Sequence, residues 1–186
     1  MEQPGNLQKF IDIFKDIPLS DGDILKLVDG KANIVRYPDI HKYTTIDELI
    51  QPHNAAVLLY EDKPHSGHWC CVTKNKGGGK GPLVEFFDPY GKFPDSQLDY
   101  IPRQYANESH QNYPYLLHLL YDSPYRSSYN EFAFQEMDAK VKDCGRWCAL
   151  RILMKDHTLD EFVDEFYGPF SDDLATLVTA RFSQLK

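Results

Sequence analysis

Asp143-Cys144-Gly145-Arg146-Trp147-Cys148-Ala149-Leu150-Arg151-Ile152-Leu153-Met154 is the stretch on which the reading of this chain turns. A Cys-Gly pair opens a mostly apolar run with no helix breaker inside it, ending at Lys155-Asp156-His157, and this pattern predicts a buried helix with Cys144 in its first turn. A thiolate is most easily made at such a place. Unpaired backbone N–H groups and the positive end of the helix dipole favour the anion, and thiols so placed have pKa values lowered from about 8.5 to roughly 3.5–7.5. Gly145 is expected to leave room for a carbonyl to approach the sulfur without meeting a side chain. The plain alternative is a small buried cysteine at a helix start, the usual fate of an unpaired thiol.

Around that stretch lie 186 residues, read as one domain spanning 1–186 and large enough to bury a sizeable core without staples. An apolar content of 42%, with 13% aromatic, points to a compact globule rather than a disordered chain. Met1-Glu2-Gln3-Pro4-Gly5 lacks the basic-then-apolar order of an export signal, and no apolar run reaches membrane-spanning length, so the expectation is a soluble, non-exported protein. Cys70, Cys71, Cys144 and Cys148 are then expected to stay reduced. The net charge of −8 argues against a dedicated nucleic-acid binder. The basic, glycine-rich Lys74-Asn75-Lys76-Gly77-Gly78-Gly79-Lys80 reads as a flexible, solvated loop, open to contact with an acidic partner. Ser20-Asp21-Gly22-Asp23 invites a calcium reading, but the twelve-position loop of an EF-hand is absent.

Apolar residues at helical spacing predict a first helix over about 7–17, ending before Pro18. A short segment from Ile24 to Val28 and a capped turn of helix at Thr45–Ile50 follow. Ala55–Tyr60 reads as a central strand, His68–Lys74 as a second and Pro82–Phe87 as a third, closed by the turn Asp88-Pro89-Tyr90-Gly91. Antiparallel pairing of the last two puts His68 and Asp88 at neighbouring strand ends. Ser96–Tyr105 and Tyr115–Tyr121 read as helices or irregular aromatic segments, and Tyr129–Gln135 as a fourth strand. Thr158-Leu159-Asp160-Glu161 carries a capping-box pattern, and Ser171-Asp172-Asp173 opens a last helix running towards Phe182. The expected class is α+β, with a small mixed or antiparallel sheet flanked by helices.

A thiol nucleophile needs a base, the base needs an orienting acceptor, and a tetrahedral intermediate needs hydrogen-bond donors. Cys144, His68, Asp88 and Gln135 supply those types in the order His, Asp, Gln, Cys. His68-Trp69, Phe86-Phe87-Asp88-Pro89-Tyr90-Gly91, Gln135 and Asp143-Cys144-Gly145-Arg146-Trp147-Cys148 together resemble the corresponding blocks of adenovirus-protease-like cysteine peptidases, whose clan includes the SUMO and NEDD proteases. The resemblance covers about residues 55 to 155. It implies an adenain-like fold, Cys144 as nucleophile, His68 as general base and acid, Asp88 as orienter of His68, Gln135 as an oxyanion donor and Trp69 packed beside the site. It implies no cofactor. Gln135 departs from the family's spacing: it lies nine positions before Cys144, where six or seven is usual, so a pair of residues is expected to loop out around 138–142. The chain looks most similar to maturation proteases of virophages, Polintons and large DNA viruses, which trim capsid or core precursors. That implies a polypeptide substrate, a location in the virion or at the assembly site in host cytoplasm, no membrane partner, and activation by a peptide or DNA as a further option.

Three rivals accompany this reading. A zinc-binding interaction module would draw on His65 or His68 with Cys70, Cys144 and Cys148, although only one cysteine pair has zinc-knuckle spacing. An acyltransferase would keep the triad and take its acyl group from coenzyme A, and a SUMO-protease-like or deubiquitinase-like isopeptidase would need a groove for a Gly-Gly tail. His41, His53, His65, His110, His118 and His157 read as surface or structural histidines, with His65 the nearest competitor to His68. Cys70 and Cys71 should face opposite sides of their strand, and Cys148 should be core.

Overall fold

The computed structural model describes residues 4–138 and 140–184. Residues 1–3, which carry part of the leader reading, and Ala139, inside the loop expected before Cys144, lie outside the described residues. Among the described residues, five strands, β1 (Asn33–Arg36), β2 (Ala55–Lys63), β3 (Ser66–Asn75), β4 (Leu83–Phe87) and β5 (Arg126–Tyr129), form one sheet in the order β1-β2-β3-β4-β5. The central pairs β2–β3 and β3–β4 are antiparallel, while β1 runs parallel to β2 and β5 parallel to β4. The fold is therefore α+β with a mixed sheet.

Helices are α1 (Pro4–Lys15), α2 (Asp21–Leu27), α3 (Ile46–Ile50), α4 (Arg103–Glu108), α5 (Tyr115–Tyr121), α6 (Cys144–Leu153), α7 (Leu159–Phe166) and α8 (Ser171–Gln184). β2 is apolar on both faces because the sheet is covered on both. Val57 and Leu59 join Trp69, Cys71 and Phe87 against α2, α6 and α7, whereas Leu58 and Tyr60 join Cys70, Val72 and Phe86 against α3, α5 and the 3-10 turn Tyr37–Lys42. The capping box implied at Thr158 with Glu161 is present, and the structure adds a second at Ser20 with Asp23.

α6 lies across the first face and is buried from Cys144 to Ile152, charged residues included. Each charge is satisfied, as burial demands. Arg151 grips Glu85 of β4 through two bonds of 2.6 and 3.1 Å and donates to the carbonyls of Met154 and His157. Arg146 holds Asp143 at 3.0 Å, Thr179 at 3.1 Å and the Phe14 carbonyl at 3.1 Å, tying α6 to α8 and α1.

Three local expectations change. β5 covers Arg126–Tyr129 and not Tyr129–Gln135, because the chain after Tyr129 spends its polar groups on the turn that ends β4. Asn130 brackets the Asp88 backbone, accepting from its N–H at 2.9 Å and donating to its carbonyl at 2.6 Å, and the N–H groups of Phe134 and Gln135 both donate to the Pro89 carbonyl. The aromatic alternation there is a packed loop, with Phe134 buried against Phe87, Trp147 and Phe162. β1 is an extra strand, four residues long, whose partner is more than twenty residues away in sequence. The glycine-rich loop is not a free linker either: its 3-10 turn Gly77–Gly79 is pinned to β5 by Arg126, which donates to the carbonyls of Gly77 and Gly81.

Candidate active site

β3 outruns β4 at one end: the ladder between them starts at Cys71↔Phe87, and His68 and Asp88 occupy the ends just beyond it. His68 Nε2 lies 2.7 Å from Asp88 Oδ1. Asp88 is fully buried, and its carboxylate is held on all sides. Oδ1 also accepts from the Tyr90 N–H at 2.8 Å, and Oδ2 accepts from Gln97 Nε2 at 2.7 Å. The Tyr90 ring stacks on the His68 imidazole at 4.5 Å and 10°. With Nε2 engaged, Nδ1 is the ring nitrogen left for proton exchange.

Cys144 stands at the first position of α6, 9% exposed, and lines the same groove as His68. Burial works against a charged His68, but the interactions with Asp88 and Cys144 outweigh it, raising the imidazole pKa from 6.5 to about 9. His68 is therefore an imidazolium at neutral pH, 13% exposed along its side chain. His68, Trp69, Tyr90, Gln97, Gln135 and Cys144 all line one groove of about 530 Å³. A thiol and an imidazole on the wall of a groove, with a carboxylate buried behind the imidazole, make an arrangement competent for nucleophilic attack with proton relay.

Trp69 packs beside this group, 6% exposed, its indole donating to the Leu19 carbonyl at 3.1 Å. Gly145 is also required by packing. A Cβ there would meet Ile24 Cδ1 at 3.0 Å, Leu19 Cβ at 3.2 Å and Trp69 Cδ1 at 3.3 Å, so its missing side chain lets α6 lie close against α2 and Trp69. Gly91 is required by geometry: its φ is +68°, and a Cβ would lie 2.4 Å from the Phe132 carbonyl carbon. That close approach presses the 132–135 segment onto the Asp88 turn and carries Gln135 to the groove.

Gln135 is buried, and its amide is already occupied. Nε2 donates to the Val141 carbonyl at 2.9 Å and, weakly, to the Tyr90 hydroxyl at 3.4 Å, while Oε1 has no partner. The extra residues ahead of Cys144 are thus the ones that return Val141 to the amide. Gln97 is missed by sequence reasoning because its position depends on remote contacts. Asp95, in the left-handed conformation at φ 66°, accepts from Tyr60 at 2.9 Å and from the Leu117 N–H at 2.8 Å, and so sets the turn that aims Gln97 at Asp88. A polar residue shortly after the Asp-Pro-Tyr-Gly turn is the only local signal.

The other candidates are dispersed. His65 sits in the β2–β3 turn with φ 59° and lines a neighbouring cavity with Arg36 and Lys42. Cys70 and Cys71 do face opposite sides, and Cys148 is core, its carbonyl 3.9 Å from the Cys71 sulfur. Cys148 therefore stands apart from His68 and Cys70. His118 pairs with the Tyr113 hydroxyl, and His41 lies against His110. Among the described residues, no helix is long and apolar enough to cross a membrane.

No protein-family model matches the chain. Among solved structures, it resembles the ASFV pS273R protease, with 14% identity and a TM-score of 0.48 over 87% of this chain and 66% of that one. It resembles the SUMO protease Ulp1 more loosely, with 13% identity and a TM-score of 0.33 over 93% of this chain and 76% of that one. Both of these neighbours are proteases, and Ulp1 carries a catalytic cysteine. In sequence, the chain is 43% identical over 177 residues to the uncharacterized protein V9 of Sputnik virophage, covering 92% of this chain and 99% of that protein. The chain belongs to the family of Sputnik virophage protein V9.

Proposed function

We propose that this protein is a cysteine endopeptidase, one peptidase domain over residues 1–186, in which Cys144 is the nucleophile, His68 the general acid and base, and Asp88 the orienter of His68. The observation that carries the reading is the 2.7 Å His68–Asp88 bond, with His68 and Cys144 on the wall of one groove. The Cys144 thiolate attacks a peptide carbonyl, His68 gives its proton to the leaving amine, and water, deprotonated by His68, releases the acyl group. Donors for the oxyanion come from the backbone N–H groups at the start of α6, which have no intrahelical partner, and from Gln135. Of the two Gln135 N–H groups, the one now 3.4 Å from Tyr90 is the one that turns to the oxyanion, while Val141 keeps the other.

The substrate in this reading is a capsid or core precursor cut during virion maturation, at the assembly site in host cytoplasm or in the virion, and the virophage relative supports that viral setting. The net charge of −8 lends no support to DNA as an activator. The test is digestion of a proteome-derived peptide library, read by mass spectrometry of new termini. Wild-type protein should generate termini that share a cleavage motif, Cys144→Ala should generate none while melting as the wild type does, and His68→Ala should generate none. Full turnover by Cys144→Ala would refute the assignment.

A further inference from the structure

Directly beneath the His68–Asp88 pair lies a third group that peptide hydrolysis leaves unused. β3 places Cys70 two residues after His68, so both side chains leave the same face of the sheet, and Cys70 is fully buried there. One donor atom from each of His68, Cys70 and Asp88 lies within 4.8 Å of the other two, and among the described residues this is the one such cluster of three. Points so spaced all lie within about 2.8 Å of a common centre, which is 4.8 Å divided by √3. Zinc–ligand bonds are about 2.0 Å to nitrogen or oxygen and about 2.3 Å to sulfur, so a tetrahedral site needs the 2.7 Å His68–Asp88 pair to open by roughly half an ångström while Cys70 moves in by up to about an ångström.

We propose that His68, Cys70 and Asp88 form a zinc site. The donor set of imidazole, thiolate and carboxylate is one that zinc takes, with three protein ligands and an open fourth position. His68, the one of the three with exposed surface, connects the cluster to the groove. The outer contacts a metal site needs are already present: Gln97 fixes Asp88 Oδ2 and the Tyr90 N–H fixes Oδ1.

Burial and the neighbouring Asp88 charge keep the Cys70 thiol protonated, with its pKa well above the ordinary value. Zinc entry therefore releases two protons, one from Cys70 Sγ and one from His68 Nε2. A neutral thiol, an imidazolium and a carboxylate become a thiolate, a neutral imidazole and a carboxylate around Zn²⁺. The charge of the buried cluster is zero before and after, so the exchange avoids the cost of burying a net charge. The metal takes the place of the proton between His68 and Asp88. On the peptidase reading, and only there, zinc binding and turnover exclude each other, which makes zinc a reversible inhibitor.

The test uses the full chain as Cys144→Ala, stripped of metal, so that zinc capture by Cys144 with His68 is excluded and the result stands apart from peptidase activity. Calorimetric titration with zinc chloride should show one equivalent bound, and adding Cys70→Ser should weaken binding at least tenfold. Cobalt(II) loaded into Cys144→Ala should show a thiolate-to-metal charge-transfer band, lost in the double variant. Where Cys70→Ser does not fold, the cobalt band in Cys144→Ala decides alone. Absence of stoichiometric zinc binding, binding without that band, or binding indifferent to a folded Cys70→Ser variant would each overturn the proposal.

Discussion

Asp88→Asn removes one charge while keeping the side chain's shape, and its effect should depend on pH in a way the site dictates. Burial opposes the His68 imidazolium, yet Asp88 and Cys144 lift its pKa to about 9 from 6.5. The gap between those values is worth roughly 3 kcal/mol of tighter proton binding in the folded state. His68 therefore contributes stability that is fully present below pH 6.5 and is lost as the pH rises through about 9. With the carboxylate gone, burial is opposed by Cys144 alone and the imidazole titrates lower. The new amide also meets Gln97 Nε2 donor to donor, so the Gln97 amide must turn over, at a cost that does not vary with pH. Urea denaturation of both proteins at pH 6, 7.5, 9 and 10 isolates the His68 contribution, because groups remote from position 88 cancel in the difference. The destabilisation should be largest at pH 6 and shrink by roughly 3 kcal/mol by pH 10. A destabilisation that is the same at pH 6 and pH 10, or a His68 ring that NMR finds titrating at or below 6.5 in the wild type, would refute the reasoning.

Gly145→Ala drives a methyl into Ile24, Leu19 and Trp69 and should cost about 1–3 kcal/mol in urea denaturation, with a shift in Trp69 fluorescence; no change in either would contradict the close packing of α6. Gln97→Ala leaves a buried Asp88 oxygen without its donor, a loss of about 1–3 kcal/mol, and on the peptidase reading should lower kcat by about tenfold and displace the pH–rate profile. A profile unmoved from the wild type would reduce Gln97 to packing. Arg151→Met strands Glu85 in the core and should cost about 3–5 kcal/mol, most of it recovered in a double variant that also carries Glu85→Met. Thermal melting of the three proteins measures this, and a double variant no more stable than the single one would argue that the pair stabilises by more than mutual neutralisation.

Much of the architecture was legible because it is encoded locally. The capping box at Thr158, the breaker-free apolar run after Cys144 and the apolar block of β2 each specify an element within a few residues. The antiparallel relation of β3 and β4 followed from two strands with a loop between them, and with it the meeting of His68 and Asp88. The Tyr129–Gln135 segment misled because its aromatic alternation has the period of a strand, whereas its backbone is claimed by Asp88 and Pro89.

What only the tertiary structure decided are the contacts between segments far apart in the chain. Gln97 reaches Asp88 because Tyr60 and Leu117 hold Asp95, and Gly145 is small because Leu19, Ile24 and Trp69 converge on it. Gln135 was legible as a residue type, but its engagement with Val141 was not, and Cys70 joins His68 and Asp88 only through the register of β3 on β4. Periodicity and capping are properties of neighbouring residues and survive in the sequence alone. The direction of a buried hydrogen bond depends on which distant segments pack together, and that is settled when the whole core closes.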